Sequence, residues 1–244
     1  MRLEDRVAKA RSLNDRFVGK PTQSIIDALF RDQLLGRLAV VTSFGAESAV
    51  LLHLIAETDR TTPILFIDTG FHFQETLAYR DTLIDRLGLS RLVSVQIDPI
   101  TRKRRDPQQW LHRSDPDACC ALRKVEVLDR ALGSFDGWCT GQKRFQSQAR
   151  QGIEWFEVDL ERGKFKVNPL AHWSAEAIKG YAARHDLPPH PLVERGFVSI
   201  GCSPCTEPVE AGEAPRAGRW RGREKTECGL HSPSSVFFRE GKVA

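Results

Sequence analysis

The chain has 244 residues, 41% of them hydrophobic and 28% charged, which suits one large domain with small appendages. No apolar run approaches the roughly 18 residues of a membrane-spanning helix. Residues 1–7 mix acids and bases, so no secretory leader is expected and a cytoplasmic location is. The net charge of +4 is too mild to demand a nucleic acid, and it suits a small anionic substrate met by a local basic cluster.

Residues 3–18 and 22–36 read as amphipathic helices; in the second, Ile25, Ile26, Leu29, Phe30 and Leu34 recur at helical spacing. Residues 37–44 form a short apolar run, a buried strand that Gly45 breaks, and residues 48–58 read as a helix. The pattern repeats with a strand over 63–69, a helix over 75–87 and a strand over 91–98. Residues 101–118 are polar and basic, a loop by composition. A helix over 122–132, a strand over 137–141, a hairpin of 153–158 and 164–169 around Arg162-Gly163, and a helix capped by Ser174 complete the series. Strands alternating with helices predict an α/β fold with a mostly parallel sheet. From Leu187 onward Gly, Pro and charge dominate. The expected organisation is therefore a domain over residues 1–210 and an irregular, mobile C-terminal tail over 211–244.

Three segments carry chemistry. The turn Ser43-Phe-Gly-Ala-Glu-Ser48 joins a strand to a helix, where backbone N–H groups can meet an anion. Gly45 permits close approach and Ser43 and Ser48 add hydroxyls; an ordinary turn with Ser48 as cap is the plainer alternative. Ile67-Asp68-Thr69-Gly70 lies at the end of the next strand, where ligands of open α/β sheets bind, although Asp68 or Thr69 capping its own turn explains it as well.

Six cysteines form the strongest signal. Cys119 and Cys120 are adjacent, and Cys202 and Cys205 form a C-x-x-C. Four thiolates favour zinc or an iron–sulfur cluster. Adjacent residues of a regular helix diverge by about 100°, so both reach one site only through a distorted backbone or a large partner. A cubane tolerates that better than one tetrahedral ion; a redox C-x-x-C or buried free thiols are the alternatives. Arg123 and Lys124 follow directly, with Lys124 one turn on from Cys120, able to offset cluster charge or attract an anion, unless they are simply a solvated face. The tail places Arg216, Arg219, Arg221, Arg223 and Lys225 before Cys228, with His231 after it. Such cations stabilise a thiolate nucleophile and would bind phosphate or sulfate; an incidental cysteine in a disordered basic tail would look the same.

Taken together, the Ser43–Ser48 turn, Ile67–Gly70, Cys119-Cys120, Thr140-Gly-Gln-Lys-Arg144 with Gln146-Ser147, Cys202-Ser-Pro-Cys205 and Glu227-Cys-Gly-Leu-His231 resemble the assimilatory adenylylsulfate reductases, the iron–sulfur branch of the phosphoadenylylsulfate reductase family. The resemblance implies an adenine nucleotide α-hydrolase-like fold and a [4Fe–4S] cluster on Cys119, Cys120, Cys202 and Cys205. It implies Cys228 as the nucleophile toward the sulfur of adenylyl sulfate, and thioredoxin or a similar dithiol protein as the reductant that releases sulfite. By the same resemblance Lys124, Arg144, Arg216, Arg219 and His231 contact or orient the substrate, and Ser43, Gly45, Ser48 and Ile67 to Gly70 cradle the nucleotide. It implies no nucleic-acid or membrane partner and is compatible with a homo-oligomer. Position 143 is Lys where many relatives carry a second Arg. The same reaction on 3′-phosphoadenylyl sulfate, an ATP-dependent tRNA-thiolating enzyme of this fold, and a zinc-stabilised binding protein are the competing readings.

Overall fold

The computed structural model describes residues 1–231. Its centre is one six-stranded sheet in the order β3-β2-β1-β4-β6-β5. β1 (Leu38–Thr42), β2 (Ile64–Asp68), β3 (Leu92–Gln96), β4 (Gly137–Thr140) and β6 (Lys164–Val167) run parallel, and β5 (Phe156–Asp159) joins β6 antiparallel through the expected hairpin. The period-2 alternation of strand side chains sorts the core onto two faces. Val40, Ile64 and Phe66 pack on one face beneath α3 (Ser48–Ala56), α4 (Gln74–Leu87) and α9 (Ala175–Arg184). Ala39, Val41, Leu65 and Ile67 pack on the other with Leu122, Val127, Leu128 and Trp138. α1 (Leu3–Phe17) and α2 (Thr22–Phe30) cover β5 and β6 through Leu13, Phe17, Ile25 and Leu29.

After β1 the chain builds β2 and β3 outward on one side, then returns past β1 to lay β4 on its other side. This reversal opens a crevice beyond the carboxyl ends of β1 and β4, the place where open α/β sheets bind ligands.

Three expectations need correction. The second helix stops at Phe30 rather than 36, because Gln33 takes a left-handed conformation (φ 50°) and turns the chain into β1; Leu34 still packs on the core. Residues 101–118 are not a loop. They fold, with Pro99 and Ile100, into three short helices, α5 (Pro99–Arg105), α6 (Leu111–Ser114) and α7 (Pro116–Cys120). Asp98 and Asp115 cap α5 and α7, each accepting a backbone N–H, with Pro in the first turn. The helix expected over 122–132 begins as a π-helical turn, Ala121–Val125, before α8 (Glu126–Ala131). From Leu187 the chain is irregular as expected, with short 3₁₀ turns at Val193–Arg195 and Ser203–Cys205.

A buried ion pair fastens the short helices to the sheet. Arg123 and Asp106 are 2% and 3% exposed and meet at 2.8 Å. Arg123 also donates to the Thr69 carbonyl at 2.9 Å and lies over the Phe71 ring, while Asp106 accepts from the backbone of Trp110 and Leu111. Breaking such a pair leaves a buried charge unpaired. Asp106→Asn is therefore expected to cost about 3–5 kcal/mol, read as a lowered midpoint in chemical denaturation.

Candidate functional site: a cationic cleft against a four-cysteine cavity

The cysteine pair closes α7, and the wide π turn that starts at the next residue carries Arg123 and Lys124. Single π turns in α-helices gather at functional sites; here one follows directly on two adjacent cysteines. Cys202 is bridged to His72 in the loop after β2, and the Ser203 N–H donates to the Phe71 carbonyl at 2.7 Å. The following 3₁₀ turn brings Cys205 around, its N–H donating to the Cys202 carbonyl. Cys119, Cys120, Cys202 and Cys205 thereby line one small cavity, walled also by Thr69, Arg123, Lys124 and Trp220. Burial pushes the Cys119 thiol up to about 12, and Cys120, Cys202 and Cys205 push in the same direction. Among the described residues no three His, Cys, Asp or Glu side chains close on a single ion's position; the four thiols surround a space.

Across that wall lies the larger cleft, about 350 Å³, at the carboxyl ends of β1, β2 and β4. This is within the size range of small-molecule sites. Ser43, Gly45 and Ser48 line it from the turn before α3, and Ile67 and Thr69 from β2 and its exit. Phe44 makes that turn at φ 49° with its ring fully buried against Phe66; a non-glycine residue held there is stored strain. Ser48 donates its hydroxyl hydrogen to the Gly45 carbonyl at 2.7 Å, so it caps the turn rather than offering a free donor.

Five cations face the cleft: Lys124, Lys143, Arg150, Arg216 and Arg219. Glu47 and Glu227 are the acids opposite them. Burial works against the charge of Lys124, but Cys202, Cys228 and Cys120 around it outweigh that and hold it protonated. Burial, then the Lys124 charge, the Leu230 N–H and Arg219, act on Cys228, and the donors and cations win, so its thiol lies below the ordinary range. Burial and then the nearby Arg150 lower Arg216 to about 10. His231 is stacked flat on Trp138 at 5.3 Å. Burial and then Lys166, Arg150 and Arg216 hold its ring neutral.

Of the residues singled out from sequence, Ser43, Gly45, Ser48, Ile67, Thr69, Lys124, Cys202, Arg216, Arg219, Cys228 and His231 all line this cleft. Asp68, Gly70 and Arg144 do not line it. Asp68 accepts from the Gly70 N–H at 2.9 Å and from Gln96, the capped turn that was the plainer alternative. Arg144 donates to the Ile153 carbonyl at 2.7 Å and pairs with Glu154. Its neighbour Lys143 enters instead, paired with Glu47 at 2.9 Å. Arg150 is a cleft residue that sequence reasoning missed, and Glu47 and Glu227 stood inside quoted motifs without being assigned a role. The signal for Lys143 was present in the Thr140–Arg144 motif; for Arg150 it was not.

Residues 37–208 match the model of the phosphoadenosine phosphosulfate reductase domain. The chain belongs to that family. It is similar to a protein of Mesorhizobium japonicum named adenosine 5′-phosphosulfate reductase, 46% identical over 92% of this chain and 87% of the relative. A protein of the same name from Chelativorans is 45% identical over 94% of this chain and 93% of the relative. A Gloeobacter violaceus protein named phosphoadenosine 5′-phosphosulfate reductase is 43% identical over 80% and 83%. Among solved structures, the phosphoadenylyl-sulfate reductase of Candida auris superposes with a TM-score of 0.67 at 26% identity, covering 80% of this chain and 94% of that one. The matched family region stops before Arg216, so Arg216, Arg219, Cys228 and His231 stand outside it.

Trp220 carries the basic tail. It is buried, held at φ 50°, and takes Arg219, Lys225 and Arg216 over its ring at 4.5, 5.5 and 5.9 Å. The Arg219 guanidinium lies where a Cβ on Gly201 would stand. Gly201→Ala is therefore expected to displace a flexible side-chain end at little cost in stability, under about 1 kcal/mol. It should weaken binding of inorganic phosphate by roughly tenfold, or ~1.4 kcal/mol. Titration calorimetry beside a melting curve checks both halves.

Proposed function

We propose that the chain reduces adenylyl sulfate to sulfite and AMP in sulfate assimilation toward cysteine, with Cys228 as nucleophile and thioredoxin or a similar dithiol protein as reductant. The observation that carries this reading is the seating of Cys228 in a cationic cleft beside Lys124 and Arg219, in a member of the phosphoadenosine phosphosulfate reductase family. The names of the relatives from Mesorhizobium japonicum and Chelativorans favour adenylyl sulfate. The name of the Gloeobacter violaceus relative keeps 3′-phosphoadenylyl sulfate as the second reading.

The sulfuryl group is a poor electrophile screened by its own oxygens, and preorganised cations are what let an anionic nucleophile approach it. The Cys228 thiolate forms an S–S bond to the sulfate sulfur as the S–O bond to phosphate breaks. AMP leaves with that electron pair and an S-sulfocysteine remains. A thiolate of the reductant attacks Cys228 Sγ and expels sulfite with the S–S electron pair, and the second thiol resolves the mixed disulfide, restoring Cys228. Arg216, Arg219, Lys124 and Lys143 neutralise the phosphate and sulfate oxygens. His231, neutral and stacked, orients rather than adds charge. Ser43, Gly45 and Thr69 cradle the nucleotide. Arg144, Asp68 and Gly70 act from behind the cleft, by shaping the loops that line it.

Cys119, Cys120, Cys202 and Cys205 fit a [4Fe–4S] cluster. They surround a cavity, burial pushes the thiols of Cys119, Cys120 and Cys205 up, and Arg123, Lys124 and Trp220 with its cations stand beside them. A single zinc ion requires four sulfurs about 2.3 Å from one point, and among the described residues no three such side chains close on one. When bound, the cluster supplies a thiolate-ligated, anionic wall behind Lys124. The reading includes a cytoplasmic protein, where thiols stay reduced, and a tail over 211–244 that carries the nucleophile; residues 232–244 lie outside the described residues.

Two expectations test this. The purified protein should be brown, with about four irons and four sulfides per chain; serine at any of the four cluster positions should lower iron and activity together, whereas Cys139, buried in β4, should be dispensable for iron. A colourless, zinc-loaded and fully active protein would sink the cluster. Incubation with adenylyl sulfate alone should add one SO₃ at Cys228, discharged as sulfite by reduced thioredoxin. Cys228→Ser should keep the iron and lose turnover, since a neutral hydroxyl is far less nucleophilic. Normal sulfite release by that variant would overturn the mechanism, and faster release from the 3′-phosphorylated nucleotide would favour the second reading.

A further inference from the structure

Glu227 precedes the nucleophile and makes contacts that the mechanism does not use. Arg150 Nε and Nη2 donate to its two carboxylate oxygens, each at 2.9 Å, the parallel geometry that makes Arg–carboxylate pairs strong and directional. Arg216 Nη2 adds a third bond at 3.1 Å and also holds the Thr226 carbonyl at 2.8 Å. Ser147 Oγ donates from the other side at 3.4 Å. The triad is largely removed from water: side-chain exposure is 18% for Glu227, 11% for Arg150 and 15% for Arg216. Arg150 is itself braced, donating to Gln146 Oε1 at 2.6 Å. Before Glu227, Lys225 pairs with Asp117 and lies over the Trp220 ring, and Arg223 donates to the Arg113 carbonyl; after Cys228, His231 stacks on Trp138.

We infer that Glu227 is the positioning residue of the nucleophile: its ion pair with Arg150, shared with Arg216, is the latch that seats Cys228 in the cleft. The inference rests on the reading of Cys228 as the nucleophile. The latch is the residue directly before the thiol, so closing it fixes the sulfur beside Lys124, and opening it releases the sulfur to a second protein. Glu227 also serves as counter-ion to a crowded set of arginines. An incoming anion that engages Arg216 therefore takes over part of its role.

The experiment reads access to the thiol separately from chemistry. Iodoacetamide alkylation of Cys228, mapped by mass spectrometry, is measured at about pH 9.5, where a thiol is largely ionised with or without nearby cations. Cys139, fully buried in β4, is the internal control. Glu227→Gln and Arg150→Met should each raise Cys228 alkylation roughly tenfold with Cys139 unchanged, and slow single-turnover formation of S-sulfocysteine by a similar factor. Glu227→Gln should leave iron content unchanged and AMP affinity within about threefold, and the double variant should be no worse than the worse single one, as expected of two partners in one interaction. Wild-type alkylation rates in both variants overturn the latch. A parallel rise at Cys139 reports general loosening and overturns it equally. Should Glu227→Gln fold poorly, Arg150→Met answers the same question with the tail's own sequence intact. Absence of sulfite from the wild-type protein, with the alkylation pattern as expected, overturns the reductase reading and leaves the latch standing.

Discussion

Everything at the cleft depends on keeping cations together. Lys124, Lys143, Arg150, Arg216 and Arg219 face a space of about 350 Å³, and like charges so confined in a low-dielectric setting repel. Arg216 records the strain in its lowered pKa, through burial and then Arg150. The fold offsets this with acceptors placed at intervals: Glu47 on Lys143, Glu227 on Arg150 and Arg216, and the Cys228 sulfur beside Lys124. The groups that balance the cations thus line the same cleft.

That balance explains the architecture around it. Lys124 cannot reach the cleft from a regular exposed helix face; it arrives on a π turn whose neighbour Arg123 is buried against Asp106 and the Thr69 carbonyl. The three short helices before it, with little core of their own, are held by Asp caps and by that pair. Holding these helices and presenting the adjacent cysteines are one problem with one solution.

The sheet was legible because buried parallel strands read as short apolar runs, as in Leu38–Thr42 and Ile64–Asp68, each followed by a turn. Most of the cleft was legible for the same reason: chemistry in an α/β fold collects at strand ends. Residues 101–118 were misread because basic composition hid Asp98-Pro99 and Asp115-Pro116, which start helices locally. The choice between Lys143 and Arg144 was beyond the sequence, since an extended residue and the first residue of a 3₁₀ turn point different ways and only the partners, Glu47 and Glu154, tell which faces the cleft. Arg150 meets Glu227 across 77 positions. No periodicity encodes a contact that distant.

The wall between the two cavities has a consequence for how such a protein can change over time. Thr69, Lys124, Cys202 and Trp220 border both spaces. A substitution at any of them alters both spaces in a single step, so neither can be reshaped while the other is held fixed. Variation is freer on the far rim, at Ser43 or Gln146, which touch the cleft alone. Divergence in substrate preference within such a scaffold has its open route through the strand-end loops, and its closed one through the partition.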